Sequence, residues 1–388
     1  MYSIQEMESK RYDHINYRLE FIKTITERSG IDNLTIQEDR NDKDIRKCLN
    51  KKVLDFNNLI TKIGGKLLYI KSGSTGHTFR GLDPRDENSD FNYAVKIVAY
   101  PKRGNYGKLN DASRPENAEL LILKKLSKFV VSNQTPHIIL PICTFYSDIK
   151  PFLNLSDNKI VNNKKYDEFI ERYNKKQYYE NVSILISEWA NGGDLLDHIR
   201  QEYENFNAIK WKVLCYQILS VLAVIHKEYP SFRHNDMKAN NILIQKIHNR
   251  QKNNKFKYKI NGQIYVVPNI DIQIKLWDFD FACIPGLVEN TKVSAKWTDK
   301  INIKPEQNRY YDVHYFFNTL TRKGFFPQFW DEGVVPKELQ EFVSRIIPIQ
   351  YREGEYVSEK GRLLIDDEYL TPDFILKNDP YFNEFRRY

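Results

Sequence analysis

The sequence is poor in cysteine, and its cysteines lie far apart. The 388 residues include four, Cys48, Cys143, Cys215 and Cys283, and no two of them form a C-x-x-C pair. Structural zinc modules depend on such closely spaced pairs, so the pattern argues against a zinc module. Dispersed cysteines are typical of free thiols in a reducing compartment.

The sequence also lacks a long apolar run. Residues 1–18 are polar and contain no signal-peptide core. No apolar stretch approaches the roughly 20 residues that a membrane-spanning helix needs. We therefore expect a soluble intracellular protein without a transmembrane segment.

Concentrated charge of one sign is absent as well. Lysine and arginine number 59 against 51 aspartates and glutamates, which gives a net charge of +8, but basic pairs such as Lys164-Lys165 and Arg386-Arg387 are scattered. This distribution is typical of a solvated surface, so we predict no specific nucleic-acid module. Aromatic residues at 13% and hydrophobic residues at 41% indicate a folded protein with one large or two modest cores.

Two short stretches combine carboxylates with apolar, strand-like residues. In the first, Asp236 is followed by Lys238 and Asn241, and then by two apolar residues. In the second, an alternating apolar run at 272–276 leads to Asp278. Phosphoryl transfer needs a carboxylate for the attacking hydroxyl, oxygen ligands for Mg²⁺ and a cation that offsets the charge of the moving group. The two stretches together therefore predict phosphoryl-transfer chemistry.

These stretches resemble the signature of the protein kinases. Residues 234–241 are similar to the catalytic loop H-R-D-x-K-x-x-N, and residues 278–280 stand where D-F-G is expected. The resemblance implies ATP as phosphate donor and proteins as acceptors. It implies that Asp236 orients or deprotonates the acceptor hydroxyl and that Lys238 steadies the γ-phosphoryl oxygens. Asn241 and Asp278 would hold Mg²⁺, with Mn²⁺ as an alternative metal.

Residues nearer the N-terminus extend the resemblance. The small-residue turn at 72–81 contains Gly73 and Gly76, and is similar to the kinase glycine-rich loop except that Lys71 replaces its first glycine. No Walker A motif occurs in the chain. Lys96 lies within an apolar strand predicted at 93–98, where a buried ammonium needs a partner. The resemblance supplies ATP phosphates and Glu119, which lies in a helix predicted at 117–129.

A predicted strand at 183–187 leads into a segment, 188–194, that is similar to the hinge between kinase lobes. The resemblance implies that backbone groups at Glu188 and Ala190 bind adenine, that Asp194 meets the ribose and that Ser187 guards the pocket behind adenine. The complete implied ATP site consists of Gly73, Gly76, Thr78, Ala94, Lys96, Glu119, Glu188, Ala190, Asp194 and Leu243.

The implied fold is α+β and bilobal, with a small β-rich N-lobe and a larger, mostly helical C-lobe. We expect an N-terminal extension of unknown role at 1–64 and a kinase domain at 65–388, with an N-lobe at about 65–188, a hinge at about 188–194 and a C-lobe at about 195–388. A further strand is predicted at 138–142 and a core helix at 211–226. Polar insertions are predicted at about 147–179, as a surface loop, and at about 245–269, as an elongated hairpin.

Two departures from the common kinase pattern narrow the resemblance. Asp280 replaces the glycine of D-F-G, and a Y-Y-D-x-H-x-F-F run at 310–317 follows a shortened segment. Both are similar to the serine/threonine kinases of large DNA viruses, the poxvirus virion-kinase type in particular, which would place the protein in the host cytoplasm or the virion. Within that run, Asp312 matches an aspartate that accepts backbone N–H bonds from the catalytic loop.

A third departure is Asn235, because most regulated protein kinases have arginine before the catalytic aspartate. Asparagine is neutral and cannot form the charge-assisted pair with a phosphate that orders the activation segment. Thr291, Ser294 and Thr298 are potential acceptors in that segment. We nevertheless expect a kinase that is active without their phosphorylation.

Two other interpretations stay open. The H-N-D run, Asn241 and the D-F-D run also resemble choline and aminoglycoside kinases, which act on small-molecule hydroxyls. Lys238 favours a protein kinase, because a lysine at this position is characteristic of the serine/threonine kinases. The other interpretation is a pseudokinase that serves as a binding module, although Lys96, Asp236 and Asp278 are all retained. No pattern in the sequence indicates the oligomeric state.

Overall fold

The computed structural model describes residues 15–73, 75–82, 92–155, 157, 159–160, 163–247 and 255–387. The α-helices are α1 Ile15–Ser29, α2 Ile45–Leu49, α3 Phe56–Ile63, α4 Pro115–Val131, α5 Lys164–Asn174, α6 Leu195–Glu202, α7 Ala208–Glu228, α8 Lys296–Asp299, α9 Tyr311–Leu320, α10 Lys337–Ile346 and α11 Pro372–Asn378. The strands are β1 Lys66–Gly73, β2 Gly76–Leu82, β3 Asn92–Pro101, β4 Pro141–Asp148, β5 Tyr178–Glu188, β6 Ile242–Lys246, β7 Lys255–Ile260, β8 Gln263–Pro268, β9 Ile272–Leu276 and β10 Arg386–Arg387. Short 3₁₀ helices occur at Gly104–Tyr106, Lys150–Phe152, Tyr203–Asn205, Ala239–Asn241, Pro327–Trp330, Ile349–Tyr351 and Pro380–Phe385.

The chain forms two units. The sheet unit contains His14–Lys128 and Ile139–Trp189, and the helical unit contains Phe129–Ile138 and Ala190–Tyr388. The sheet unit has a five-stranded antiparallel sheet in the order β1-β2-β3-β5-β4. The helical unit contains helices α6 to α11 and, among its described residues, two small sheets. The expected α+β class, with a β-rich first part and a mostly helical second part, is confirmed.

Residues 15–64 form part of the sheet unit and cover one edge of its sheet. Strand β4 lies at that edge, and the backbone N–H groups of Leu34 and Leu54 donate to the carbonyls of Ile142 and Tyr146 on it. Tyr146 in turn donates its N–H to the carbonyl of Lys52. An uncovered edge strand would expose unpaired backbone groups, so these bonds protect the sheet from pairing with other chains.

The same N-terminal segment also contacts helix α4. The ammonium of Lys124 donates to the carbonyl of Glu38 at 2.6 Å and lies 3.0 Å from the carboxylate of Asp39. Near the start of α4, buried Lys51 donates to the hydroxyl of Tyr100 at 3.1 Å, and that hydroxyl donates to Asn117 at 2.7 Å. The N-terminal segment therefore holds α4 at two places along its length.

The polar insertion at 147–179 differs from the surface loop that the sequence predicted. It contains helix α5, and the following strand begins at Tyr178. Phe169 and Tyr166 of α5 are buried, and the Phe169 ring lies 4.4 Å from the ring of His77. Burial lowers the pKa of His77 to about 4, so this imidazole is neutral at pH 7. The polar composition misled the prediction because only one side of α5 is apolar.

The strand predicted at 138–142 was wrong in its position. Strand β4 begins at Pro141, whose missing N–H is tolerated at the first residue of a strand. Ile138 instead forms an isolated bridge with Leu276 within the helical unit. The apolar run therefore contains the transition between the two units.

Helix α7 is the central helix of the helical unit, as the periodicity at 211–226 predicted. All residues from Trp211 to His226 are buried, so α7 is surrounded by protein on every side. Of the described helices, α7 is long and apolar enough to cross a membrane, but 83% of its most apolar window is buried inside the protein. Strands β7 and β8 form a hairpin within the insertion predicted at about 245–269, of which residues 248–254 lie outside the described residues. Strand β10 pairs with the second strand of this hairpin.

We predict that Ile22→Ala lowers the free energy of unfolding by about 2–5 kcal/mol, because it removes a fully buried side chain of α1 and leaves a cavity. Ile36→Ala is the matched control, since Ile36 lies in the same N-terminal segment and is 64% exposed; its effect should stay within about 0.5 kcal/mol. Urea unfolding of both variants measures the difference. Equal stabilities would contradict the packing of α1 into the sheet unit.

Candidate active site

The sheet unit aligns several of the predicted ATP-site residues on one face of the sheet. Thr78 pairs with Lys96 across β2 and β3, and Ala94 pairs with Ser187 across β3 and β5. Paired residues on neighbouring strands point to the same side, and Ala94 and Lys96 are two residues apart on one strand. The register therefore places all four side chains on a common face.

The predicted ion pair between Lys96 and Glu119 is present. The ammonium of Lys96 lies 2.5 Å from the Glu119 carboxylate on α4, and both side chains are mostly buried. A partly desolvated lysine needs such a partner, and charge-assisted hydrogen bonds are stronger than neutral ones. Lys96 projects from the central strand of the sheet, so the pair fixes α4 relative to that strand.

The two predicted glycines face each other where the β1–β2 hairpin turns. Gly73 pairs with Gly76 in the antiparallel register. A side chain at Gly76 is impossible without rearrangement, because its Cβ would lie 1.7 Å from the carbonyl oxygen of Ile97. Gly76 is thus required by the close approach of β3, and its contact with phosphate stays a prediction.

Glu188, the last residue of β5, has a structural partner that the sequence did not predict. Arg18 of α1 binds its carboxylate with two hydrogen bonds, at 2.8 and 2.7 Å. The backbone N–H of Leu140 donates to the same carboxylate at 2.8 Å. The side chain of Glu188 therefore connects α1, β5 and the start of β4, while the adenine contact was predicted for its backbone.

The other predicted hinge residues belong to the helical unit. Asp194 caps helix α6 by accepting the N–H of Asp197 at 2.9 Å. Asp194 also bridges to Leu243 on β6, and Ala190 is buried. These contacts hold the segment before α6 against β6.

Asp312 holds the catalytic loop through hydrogen bonds to its backbone, as predicted. The buried carboxylate of Asp312 accepts the backbone N–H groups of His234 at 2.7 Å and of Asn235 at 2.9 Å. Burial raises the pKa of the Asp312 carboxyl. Asn235 has a positive φ of 62°, a conformation that asparagine tolerates better than most residues. The two bonds thus hold a sharp turn immediately before Asp236.

Asp236 is the centre of a polar cluster. The ammonium of Lys238 lies 3.1 Å from its Oδ2 atom, and Asn241 donates its amide N–H groups to Oδ2 at 2.8 Å and to the Asp236 carbonyl at 2.9 Å. A guanidinium nitrogen of Arg362 lies 2.5 Å from Oδ1. The helical unit therefore brings together Asp236, Lys238 and Asn241, and adds Arg362, which no sequence motif indicated.

Strand pairing brings Asn241 and Asp278 to the same end of a two-stranded sheet. Ile242 pairs with Leu276, so Asn241 lies just before β6 begins and Asp278 lies two residues after β9 ends. His234 contacts the Trp277 carbonyl at 3.0 Å through Nε2. Asp278 has a φ of 63°, a strained conformation of the kind found at functional sites.

The donor atoms at this end of the sheet fit a hard divalent metal ion. Carboxylate and amide oxygens are the ligands that Mg²⁺ prefers. The Asn241 amide nitrogen bonds to Asp236, so the amide oxygen points away from Asp236. Over the described ranges, no group of three or more His, Cys, Asp and Glu side chains could hold a metal ion. Asn241 and Asp278 are therefore the residues at this end of the sheet that could supply oxygen ligands to Mg²⁺.

The segment after Asp278 is held by contacts with the catalytic loop. The Asn235 amide donates to the Phe281 carbonyl at 3.0 Å, and the Arg233 guanidinium donates to the Asn302 carbonyl at 2.7 Å and to the Glu306 carbonyl at 3.2 Å. Asp280 forms an ion pair with Lys292, and Asp280 is not among the residues of positive φ. An aspartate is therefore tolerated where kinases have glycine.

One expected phosphate acceptor in this segment is inaccessible. Thr298 is fully buried, and its hydroxyl donates to the Ala295 carbonyl at 2.6 Å and to the Val293 carbonyl at 2.9 Å. The expectation that Thr298 is an acceptor was therefore wrong for this conformation. Thr291 is half-buried as a residue, but its hydroxyl oxygen is buried, so of the three acceptors Ser294 is the exposed one.

Comparisons with known proteins agree with this geometry. The family profile described as "Protein kinase domain" matches residues 103–298. The chain is 50% identical over 347 residues to R400 of Acanthamoeba polyphaga mimivirus, a protein named as a serine/threonine-protein kinase. This match covers 88% of the present chain and 73% of R400. The chain is 25% identical over 289 residues to R301 of the same virus, also named for these kinases, with 66% and 69% covered. It is 32% identical over 132 residues to serine/threonine-protein kinase 2 of monkeypox virus, with 32% and 26% covered.

We predict that Lys96→Met reduces the thermal stabilisation that ATP and Mg²⁺ give the protein, because the ammonium that would meet the phosphates is removed and Glu119 loses its partner. Lys102→Met is the matched control, since Lys102 is exposed just beyond the end of β3. Differential scanning fluorimetry with and without nucleotide measures both shifts. If Lys96→Met and wild type are stabilised equally, Lys96 is not a phosphate ligand.

Proposed function

Because the chain belongs to the protein kinase family, which uses ATP and a divalent metal ion, we propose that it transfers the γ-phosphoryl group of ATP to serine and threonine hydroxyls of protein substrates. The names of the relatives support serine and threonine as acceptors. The viral origin of those relatives supports a role in the infected host cell or in the virion.

The environment of Asp236 is the strongest support for this function. One carboxylate oxygen lies within hydrogen-bonding distance of both Lys238 and Asn241, and the backbone before it is fixed by Asp312. A carboxylate that is held in this way can accept a hydrogen bond from an acceptor hydroxyl in a defined direction. Orientation of the nucleophile contributes much of the catalysis in phosphoryl transfer, since the protein takes little part in the covalent chemistry.

Each unit contributes its own set of groups to the reaction. In the helical unit, Asp236 orients the acceptor hydroxyl and Lys238 offsets negative charge on the transferred phosphoryl group. In the sheet unit, Lys96, held by Glu119, binds the α- and β-phosphates. Asn241 and Asp278 would hold Mg²⁺, which would supply positive charge that offsets the charge of the phosphate oxygens.

The remaining predicted residues bind the nucleotide away from the reacting phosphate. Backbone groups at Glu188 and Ala190 bind adenine, and Asp194 meets the ribose. Ala94 and Leu243 complete the set of nucleotide-binding residues. The hairpin with Gly73, Gly76 and Thr78 covers the phosphates.

The two other interpretations of the sequence are not favoured. The matched domain and the relatives are those of protein kinases and not of small-molecule kinases. Pseudokinases often lack one of the charged groups that bind nucleotide or metal, whereas Lys96 is present and paired with Glu119, and Asp236 and Asp278 are present as well.

We predict that the purified protein transfers radiolabelled phosphate from ATP to a generic basic or acidic protein, and not to choline or an aminoglycoside. Asp278→Ala should abolish the transfer while leaving the fold intact, because it removes a metal ligand that follows a strand and no core side chain. Asp331→Ala is the control, since Asp331 is exposed in the same unit and its loss should leave the rate unchanged. Label in choline, or equal turnover by Asp278→Ala, would refute the proposal.

A further inference from the structure

A buried arginine from a distant part of the chain contacts the catalytic loop. Arg362 is 126 residues from Asp236 in sequence and only 6% exposed. It lies in the Arg362 loop, which we define as residues 352–371 between the 3₁₀ helix Ile349–Tyr351 and helix α11. This loop contains no helix or strand, so its conformation must be set by side-chain and backbone contacts.

The Arg362 loop is fixed at several points around the arginine. Ser358 donates its N–H to the Arg362 carbonyl at 2.8 Å, and its hydroxyl accepts the Arg362 N–H at 3.0 Å. Asn318 on α9 donates to the Gly361 carbonyl at 3.0 Å. Gly361 has a φ of +80°, and its ideal Cβ would lie 2.6 Å from a side-chain carbon of Arg322. Glycine before Arg362 is thus favoured by the backbone conformation, and a side chain there would also displace the Arg322 side chain.

The guanidinium of Arg362 binds two consecutive residues of the catalytic loop. One terminal nitrogen lies 2.5 Å from the Oδ1 atom of Asp236, and the other donates to the carbonyl of Asn235 and lies 3.3 Å from the hydroxyl of Tyr311. The guanidinium carbon lies 4.1 Å from the centre of the Tyr315 ring. A planar guanidinium with two nitrogens on neighbouring acceptors allows little rotation of either group.

The two oxygens of the Asp236 carboxylate have different partners. Arg362 binds Oδ1, while Lys238 and Asn241 bind Oδ2. A carboxylate offers about four lone-pair positions, so capacity is left for an acceptor hydroxyl. With partners on both oxygens, the side-chain torsion of Asp236 is fixed, and a hydroxyl that binds the remaining lone pair is fixed with it.

We propose that Arg362 is a positioning residue for phosphoryl transfer, acting through the carboxylate of Asp236. This inference rests on the proposed function, because it assigns Asp236 to the acceptor hydroxyl. Loss of Arg362 removes the partner of Oδ1 and leaves the carboxylate held through Oδ2 alone. The weaker restraint lowers the rate of the chemical step more than it lowers the binding of ATP.

The test measures kcat, KM for ATP and melting temperature for wild type, Arg362→Met and Arg362→Lys with a generic protein substrate. Methionine keeps much of the buried volume without charge, and lysine restores the charge with a single donor group. Arg345→Met is the matched control, because Arg345 forms a two-point ion pair with Asp379 in the same unit and away from Asp236.

We expect Arg362→Met to lower kcat by about tenfold or more with KM for ATP changed by less than about threefold, and Arg362→Lys to recover part of the loss. Arg345→Met should change kcat by less than about twofold. A wild-type kcat in Arg362→Met overturns the inference, as does a lysine variant no better than the methionine variant.

If Arg362→Met does not fold, Arg362→Lys decides: a lower kcat at unchanged KM for ATP supports the inference, and a wild-type kcat overturns it. Wild-type enzyme that transfers no phosphate would instead overturn the proposed function itself.

Discussion

The two hydrogen bonds that Asp312 accepts from the catalytic loop are the constraint on which the rest of the helical unit's site depends. They join consecutive peptide groups, those of His234 and Asn235, to the first turn of α9. A buried carboxylate without partners would cost several kcal/mol, so any conformation that withdraws these N–H groups is strongly disfavoured. Asp236 comes next in the chain, and its backbone position is therefore fixed before its side chain makes any contact.

Side chains of the chain itself hold the segment after Asp278 against the catalytic loop. Arg233 and Asn235 donate to backbone carbonyls of the segment after Asp278, and Lys292 pairs with Asp280 within it. Backbone carbonyls are always present as acceptors, so these bonds need no modifying enzyme. Arg362 donates to the catalytic loop itself, at the carbonyl of Asn235. We infer that the active arrangement forms in the unmodified chain.

The sequence predicted the elements whose residues lie close together in the chain. Helices α4 and α7 followed from apolar periodicity, and strands β6 and β9 followed from two short apolar runs beside Asn241 and Asp278. The role of Asp312 was predicted because the motif around it is local. Helix α5 was missed, since its buried side consists of few residues in a polar background.

Contacts between distant parts of the chain could not be predicted in this way. Arg18 and Glu188 are 170 residues apart, and Arg362 and Asp236 are 126 residues apart. Nothing in the neighbouring residues distinguishes Arg18 or Arg362 from the many solvated arginines and lysines of a basic chain. The partners of Arg18 and Arg362 depend on how the N-terminal segment and the Arg362 loop pack within their own units. This tertiary packing is not encoded in the local sequence pattern.

The most direct test of the account is the kcat of wild-type enzyme after phosphatase treatment, with complete removal of phosphate verified by intact mass. Thr298 should be left unchanged in any companion variant because its hydroxyl is buried and bonded, whereas Ser294→Ala probes the exposed position. We predict that phosphate-free enzyme and Ser294→Ala retain kcat within about twofold of untreated wild type. A loss beyond about tenfold in both, ~1.4 kcal/mol of transition-state stabilisation, would show that a phosphate and not the chain's own side chains completes the site.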